Sequence, residues 1–146
     1  MKTMDALDLH VFDIVALGDI PVRVAVVGAG TVALEFIGQP QTTPFFVKVD
    51  DPRLRDIEIT EKILLLNGFH DVSDHTLKGG NTFRYRNEDQ TITVKPHKYF
   101  REEYWDDREY VNHETIHVSS LRDLQHALST CHVTDSNGQR MILNYQ

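Results

Sequence analysis

Cysteine is almost absent from this sequence of 146 residues, which contains only Cys131. An intrachain disulfide needs two cysteines and a cysteine-rich zinc site needs several, so both are excluded. Disulfides accumulate in proteins of oxidising compartments. The composition therefore favours a reducing compartment, and we expect a cytoplasmic protein.

Long hydrophobic runs are also missing. The longest apolar stretch starts at Val24 to Val27 and is interrupted by Gly28, Gly30 and Glu35, whereas a membrane-spanning helix needs roughly 20 apolar residues. The first nine residues lack the apolar core of a signal peptide. We therefore expect neither a secretory leader nor a membrane partner.

Basic residues are outnumbered by acidic ones. Fifteen Lys and Arg residues stand against 22 Asp and Glu residues, which gives a net charge of −7. Binding to nucleic acid regardless of its sequence needs a cationic surface that displaces counterions from the phosphates. No basic stripe is evident along the chain, so the charge argues against nucleic acid as a partner.

What the sequence does contain is the composition of one globular domain, with 40% hydrophobic and 25% charged residues. We predict an α+β fold in a single domain spanning residues 1–146, with an N-terminal antiparallel β unit at about 7–49 and an α+β part at about 57–146. The charged segment Asp50 to Asp56 marks the boundary. The second part should contain a short helix, a β-hairpin formed by Thr82 to Arg86 and Thr91 to Lys95, a C-terminal helix packed on the sheet, and a last strand at Met141 to Leu143.

Both predicted helices begin at a residue that favours helix N-caps. Thr60 precedes the first, which Asn67 and Gly68 end. Ser120 precedes the second, whose apolar residues recur at helical spacing and predict a helix from about 121 to about 131. Its buried stripe comprises Leu121, Leu124, Leu128 and Cys131. Cys131 is thus a core residue rather than a nucleophile, and Arg122, Gln125 and His126 should be more exposed.

The segment from Val24 to Ala33 resembles a dinucleotide-binding fingerprint, because a strand precedes the pattern G-x-G-x-x-A. Asp50 follows about 20 residues later, where such sites place the acid that binds the ribose. The fingerprint also needs a helix whose N terminus binds the pyrophosphate. Only Thr31 to Ile37 precede Gly38, and they alternate like a strand. We therefore predict a hairpin loop at Gly28 to Gly30, and dinucleotide binding by Gly28, Gly30 and Asp50 remains an alternative.

A second motif, His113-Glu114-Thr115-Ile116-His117, has the metalloprotease pattern H-E-x-x-H. On a helix the two histidines share a face and bind zinc, with the glutamate as the general base. Asp123 follows at a spacing that suits a third ligand. Thr115, Ile116 and Val118 favour a strand instead, so we predict that the histidines do not bind zinc together. A small zinc-dependent hydrolase with His113, Glu114, His117 and Asp123 remains the alternative.

Acidic and aromatic residues are interleaved shortly before this motif. Aromatic side chains often anchor protein interfaces, so this segment is a candidate contact for a protein partner; the residues concerned are Tyr104, Trp105, Asp106 and Asp107. Runs of charge are more often simply solvated, and a solvated loop with Trp105 in the core is the favoured interpretation.

Three segments resemble a family of uncharacterised small proteins from gut bacteria, their phages and mobile elements. The first is Leu9 to Val15, which is similar to the family pattern L-R-I-G-N-x-V. The second is Ile57 to Phe69, similar to I-P-L-T-E-E-I-L-x-x-x-G-F, and the third is Ser120 to Leu128, similar to Y-V-H-x-L-Q-x-L. Phe12 and Arg122 depart from the first and third patterns. The resemblance implies an α+β fold that begins with an SH3-like or similar small β-barrel, and it implies no activity.

These observations favour a binding or accessory module without catalytic activity, associated through the resemblance with a phage or mobile element. We expect no cofactor, with zinc as the alternative. An enzyme is the less favoured interpretation, because both catalytic motifs lie in segments that favour strands.

Overall fold

The computed structural model describes residues 8–38, 43–72, 81–106 and 109–145, without the side chains of residues 105–113. This part of the chain is mostly β, with ten strands and two short helices. The strands are β1 (Ile14–Leu17), β2 (Ile20–Val27), β3 (Thr31–Phe36), β4 (Phe45–Lys48), β5 (Leu54–Asp56), β6 (His70–Asp71), β7 (Phe83–Arg86), β8 (Gln90–Lys95), β9 (Tyr99–Asp106) and β10 (Glu109–Ile116). The helices are α1 (Glu61–Leu66) and α2 (Leu121–Thr130).

The N-terminal strands form an antiparallel sheet in the order β4-β3-β2-β1-β5. Its inner side chains alternate along each strand and form a buried cluster that includes Val22, Val24, Val32 and Leu34. β5 arises from the segment that we expected to be a boundary, and it pairs with β1. That segment is therefore an edge of the first sheet rather than a plain linker.

The remaining strands form a second antiparallel sheet in the order β10-β9-β8-β7-β6. The predicted hairpin is its β7–β8 pair, with Phe83 opposite Val94 and Tyr85 opposite Ile92. One side of the sheet packs against α2 and α1 in a core that includes Phe100, Leu124 and Leu64. The predicted α+β class is confirmed: there are two five-stranded antiparallel sheets, one of them curled into a half-barrel, and a C-terminal helix.

Helix α2 begins where its cap predicts. The Ser120 hydroxyl accepts a hydrogen bond from the Asp123 amide at 3.0 Å, and Leu121, Leu124 and Leu128 are fully buried. The expected exposure of Gln125 is wrong, because its side chain is buried and bonds to the backbone of the C-terminal segment. Neither helix of the described chain is long and apolar enough to cross a membrane.

The last residues do not form the predicted strand at Met141 to Leu143. Gln125 Nε2 donates to the carbonyl oxygen of Met141 at 3.1 Å, and the amide of Leu143 donates to Gln125 Oε1 at 2.9 Å. The Asn144 amide likewise donates to Asn67 Oδ1 at 2.7 Å. The backbone of this segment is therefore satisfied in part by side chains of α2 and of the α1 cap, not by a neighbouring strand.

Candidate functional site

The glycine segment is the predicted hairpin loop. β2 and β3 pair antiparallel on either side of it, and the Gly28 amide donates to the Thr31 carbonyl oxygen at 2.8 Å. Gly30 has a φ of +96°, which a residue with a Cβ rarely adopts. Asp50 lies in the turn after β4. Because a strand follows Gly30, the segment lacks the helix N terminus that would bind a pyrophosphate.

The H-E-x-x-H motif lies on strand β10, as its β-branched residues predict, and His117 follows directly after that strand. Residues four apart on a strand are separated by about 13 Å, too far for one zinc ion. Asp123 is already engaged at the start of α2, where its carboxylate accepts hydrogen bonds from the Ser119 amide and hydroxyl. Glu114 is exposed, and the side chain of His113 lies outside the described residues. The absence of joint zinc binding stays a prediction.

The acidic, aromatic segment is not a loop. Tyr104, Trp105 and Asp106 are the last residues of β9, which pairs with β8 and β10. Tyr104 is exposed on this strand, whereas the side chains of Trp105 and Asp106, and Asp107 altogether, lie outside the described residues. Its role as a partner contact stays a prediction.

Cys131 lies at the end of α2, half-buried beside the core. Burial, together with the nearby carboxylates of Glu102 and Glu114, raises the pKa of its thiol to about 12. A thiol with so high a pKa carries little thiolate at neutral pH, and the thiolate is the nucleophilic form. Cys131 is only partly buried, whereas the stripe predicted a buried residue, and its role in packing rather than chemistry stays a prediction.

A basic surface that the net charge conceals lies on the second sheet. Successive residues of a strand face opposite sides. In β7, β8 and β9 one set of alternate residues, including Phe83, Ile92, Val94 and Phe100, is buried against the helices. The other set faces away from the helices and forms what we call the cationic face: Arg84, Arg86, Thr91, Thr93, Lys95, Tyr99, Arg101 and Glu103.

Strand register aligns the cationic face in rows. Thr93 pairs with Arg84 on one side and Arg101 on the other, so two arginines lie in one row with a threonine between them. Since neighbouring strands are about 4.8 Å apart, the backbones of these arginines are about 10 Å apart. In the adjacent row Thr91 lies between Arg86 and Glu103. Arg84, Arg86, Thr91 and Glu103 line a shallow depression of ≈ 440 Å³, which extends to the β7–β8 turn.

The arginines of β7 differ from the other arginines that the structure describes. Elsewhere Arg53, Arg55 and Arg122 pair with carboxylates, Arg23 donates to backbone carbonyls, and Arg140 lies over the ring of Phe12. Arg84 and Arg86 have no carboxylate within 4.0 Å among the described residues, and Arg84 Nε is buried without a hydrogen-bond acceptor there. A buried donor without an acceptor costs free energy. The guanidinium groups of Arg84 and Arg86 are therefore available to pair with carboxylate oxygens of another molecule.

A second group of polar side chains, the histidine cluster, joins the N-terminal segment to α2. It consists of Asp8, His10, Asp13 and His126. One ligand atom each of Asp8, His10 and His126 lies within 4.8 Å of the others. The two imidazole rings are stacked, with centroids 3.8 Å apart, and His126 Nε2 lies 2.7 Å from Asp13 Oδ2.

Comparison of the chain with protein-family models, with curated proteins and with solved structures gives no match. Sequence reasoning missed both sites. The alternation of Arg84 and Arg86 with Phe83 and Tyr85 could have indicated the cationic face, whereas nothing local indicates the histidine cluster.

Proposed function

We propose that this chain is a binding module without catalytic activity, and that it uses the cationic face to bind an acidic segment of a partner protein. The observation that carries the proposal is the pair Arg84 and Arg86, which have no carboxylate partner among the described residues. The guanidinium group presents a planar fork of donors that matches a carboxylate. Threonine hydroxyls between the arginines add further donors.

The character of the face favours a protein over a nucleic acid. Sheets that bind single strands stack bases on aromatic side chains, whereas Tyr99 is the one aromatic on the cationic face and is half-buried. Glu103 lies within the face and pairs with Arg101 at 3.6 Å. A polyphosphate would also meet the overall charge of −7, which repels it at long range. A short acidic peptide carries fewer charges, so the same repulsion opposes its binding less, and its carboxylates can pair with the four cations Arg84, Arg86, Lys95 and Arg101.

The experiment measures binding of a fluorescein-labelled oligoglutamate peptide by fluorescence anisotropy at low ionic strength. We expect the double variant Arg86→Gln/Arg101→Gln to bind roughly three- to tenfold more weakly, since exposed ion pairs contribute about 0.2–1 kcal/mol each. Both residues are exposed, so the variant should fold. Amide shifts in ¹H–¹⁵N spectra should map to β7, β8 and β9.

The matched control is Arg53→Gln/Arg55→Gln, which removes the same charge from exposed arginines near the edge of the first sheet. Its affinity for the peptide should fall less than twofold. Equal loss in both variants, or no binding at about 50 mM salt where surface charges are weakly screened, would refute the proposal. Tighter binding of a single-stranded oligonucleotide to the same strands would reject the protein partner. Association with a phage or mobile element rests on the resemblance alone.

A further inference from the structure

The histidine cluster is built by contacts between distant parts of the chain. Asp8 and His10 lie before β1, Asp13 directly precedes it, and His126 lies on α2. Arg122, also on α2, donates to the backbone carbonyl of Asp8 at 3.2 Å. Phe12 adopts a φ of +80°, which turns the chain between His10 and Asp13. The unfavourable backbone conformation of Phe12 therefore accompanies the turn that brings these side chains together.

Asp13 fixes the orientation of His126. Its carboxylate is fully buried, and Oδ2 accepts a hydrogen bond from the His10 amide at 2.7 Å and lies 2.7 Å from His126 Nε2. Because a carboxylate accepts, Nε2 of a neutral His126 carries the proton, and its Nδ1 keeps a free lone pair. Asp13 Oδ1 has no partner among the described residues. A buried carboxylate that orients an imidazole in this way is typical of metal-binding histidines.

The remaining groups supply a suitable donor set. His10 and Asp8 are exposed, with His10 Nε2 3.4 Å from Asp8 Oδ1 and side-chain exposures of 55% and 80%. Two imidazoles and one carboxylate are ligands that Zn²⁺ and neighbouring divalent transition ions prefer. Ligands around one zinc ion lie about 3.3 Å apart, given bonds of about 2.0–2.1 Å. The separation of His10 and Asp8 suits one ion, but the lone pairs of stacked imidazoles lie in nearly parallel planes, so the exposed His10 ring must tilt out of its stack with His126 when the ion binds.

We propose that Asp8, His10 and His126 bind one divalent transition-metal ion of the zinc class, and that Asp13 is a positioning residue for His126. This site is distinct from the H-E-x-x-H motif and from the cationic face. It ties the segment before β1 to α2. Three protein ligands leave a coordination position for water or for an atom of a partner.

The test is titration of chelator-treated protein with zinc sulfate by calorimetry, and with Co²⁺ by its visible absorption. We expect one ion per chain. His10→Ala and His126→Ala should each abolish stoichiometric binding, and Asp13→Asn should weaken it roughly 10- to 100-fold, the usual effect of removing a group that orients a ligand. His10 is exposed, so His10→Ala keeps the test decisive if the variants at buried Asp13 or at His126 fail to fold.

His117→Ala is the control, since His117 is exposed and belongs to the competing motif. It should bind zinc like the unaltered protein. Zinc lost on His117→Ala and retained on His10→Ala would overturn the proposal in favour of the H-E-x-x-H motif. Absence of stoichiometric binding of both ions would overturn it outright. Neither outcome bears on the oligoglutamate experiment, which addresses the other face.

Discussion

At the scale of single residues, Leu124 gives the sharpest test of the core. It is fully buried in the middle of the α2 stripe, whereas Leu65 of α1 is 48% exposed. Leu124→Ala should lower the free energy of unfolding by about 2–5 kcal/mol, because it removes buried surface and leaves a cavity. Leu65→Ala, the same change on an exposed surface, should cost no more than about 0.5 kcal/mol. Urea denaturation measures both, and equal small losses would show that the stripe is not core.

Periodicity identified which residues of α2 are apolar core, but it could not identify polar partners. Arg122 is outside the buried stripe, as predicted, but it is not free: it donates to both carboxylate oxygens of Asp56 at 2.9 and 3.1 Å. The hydrogen bond to Asp56 raises the pKa of Arg122. Asp56 lies 66 residues away in the sequence, and Asp13 lies 113 residues from His126. Such separations leave no local pattern from which the contact could be predicted.

At the scale of elements, the C-terminal segment depends on one buried amide. Gln125→Leu conserves most of the volume but leaves the Leu143 amide and the Met141 carbonyl without their partner. An unsatisfied buried group costs about 1–3 kcal/mol, so we expect a loss of stability in this range or above it. Hydrogen exchange at the Leu143 amide should also become faster. Gln139→Leu, at an exposed position, is the control, and unchanged exchange at Leu143 in Gln125→Leu would contradict the assignment.

Helices and hairpins were predictable where their signals are local. Caps at Thr60 and Ser120 and the alternation around the β7–β8 turn each act within a few residues. β9 escaped recognition because its inward face is not uniformly apolar: Phe100 is followed by Glu102, which is buried, and by Tyr104. Gln90 Nε2 donates to Glu102 Oε2 at 2.7 Å. The pattern of apolar residues cannot predict that a carboxylate is buried when its hydrogen-bond partner lies on another strand.

At the scale of the whole molecule, β1 joins the two parts of the chain. Successive residues of a strand face opposite sides, so Ile14 packs in the core of the second sheet and helices while its neighbour Val15 packs in the core of the first sheet. The ion pair of Arg122 with Asp56 and the histidine cluster span the same junction. The sequence predicted two parts in one domain, but the side on which each residue of β1 packs depends on tertiary structure.

This junction predicts that the two sheets unfold together. Ile14→Ala should lower the free energy of unfolding by about 2–5 kcal/mol, because Ile14 is almost fully buried. Since global unfolding exposes the most protected amides of both sheets, native-state hydrogen exchange should report the same loss at amides of β2 and of β8. Ile20 of β2 is 50% exposed. Ile20→Ala should therefore lower the free energy of unfolding far less, whether it is measured at amides of β2 or of β8. A loss confined to β8 would mean that the second sheet opens by itself, and that β1 does not couple the two cores.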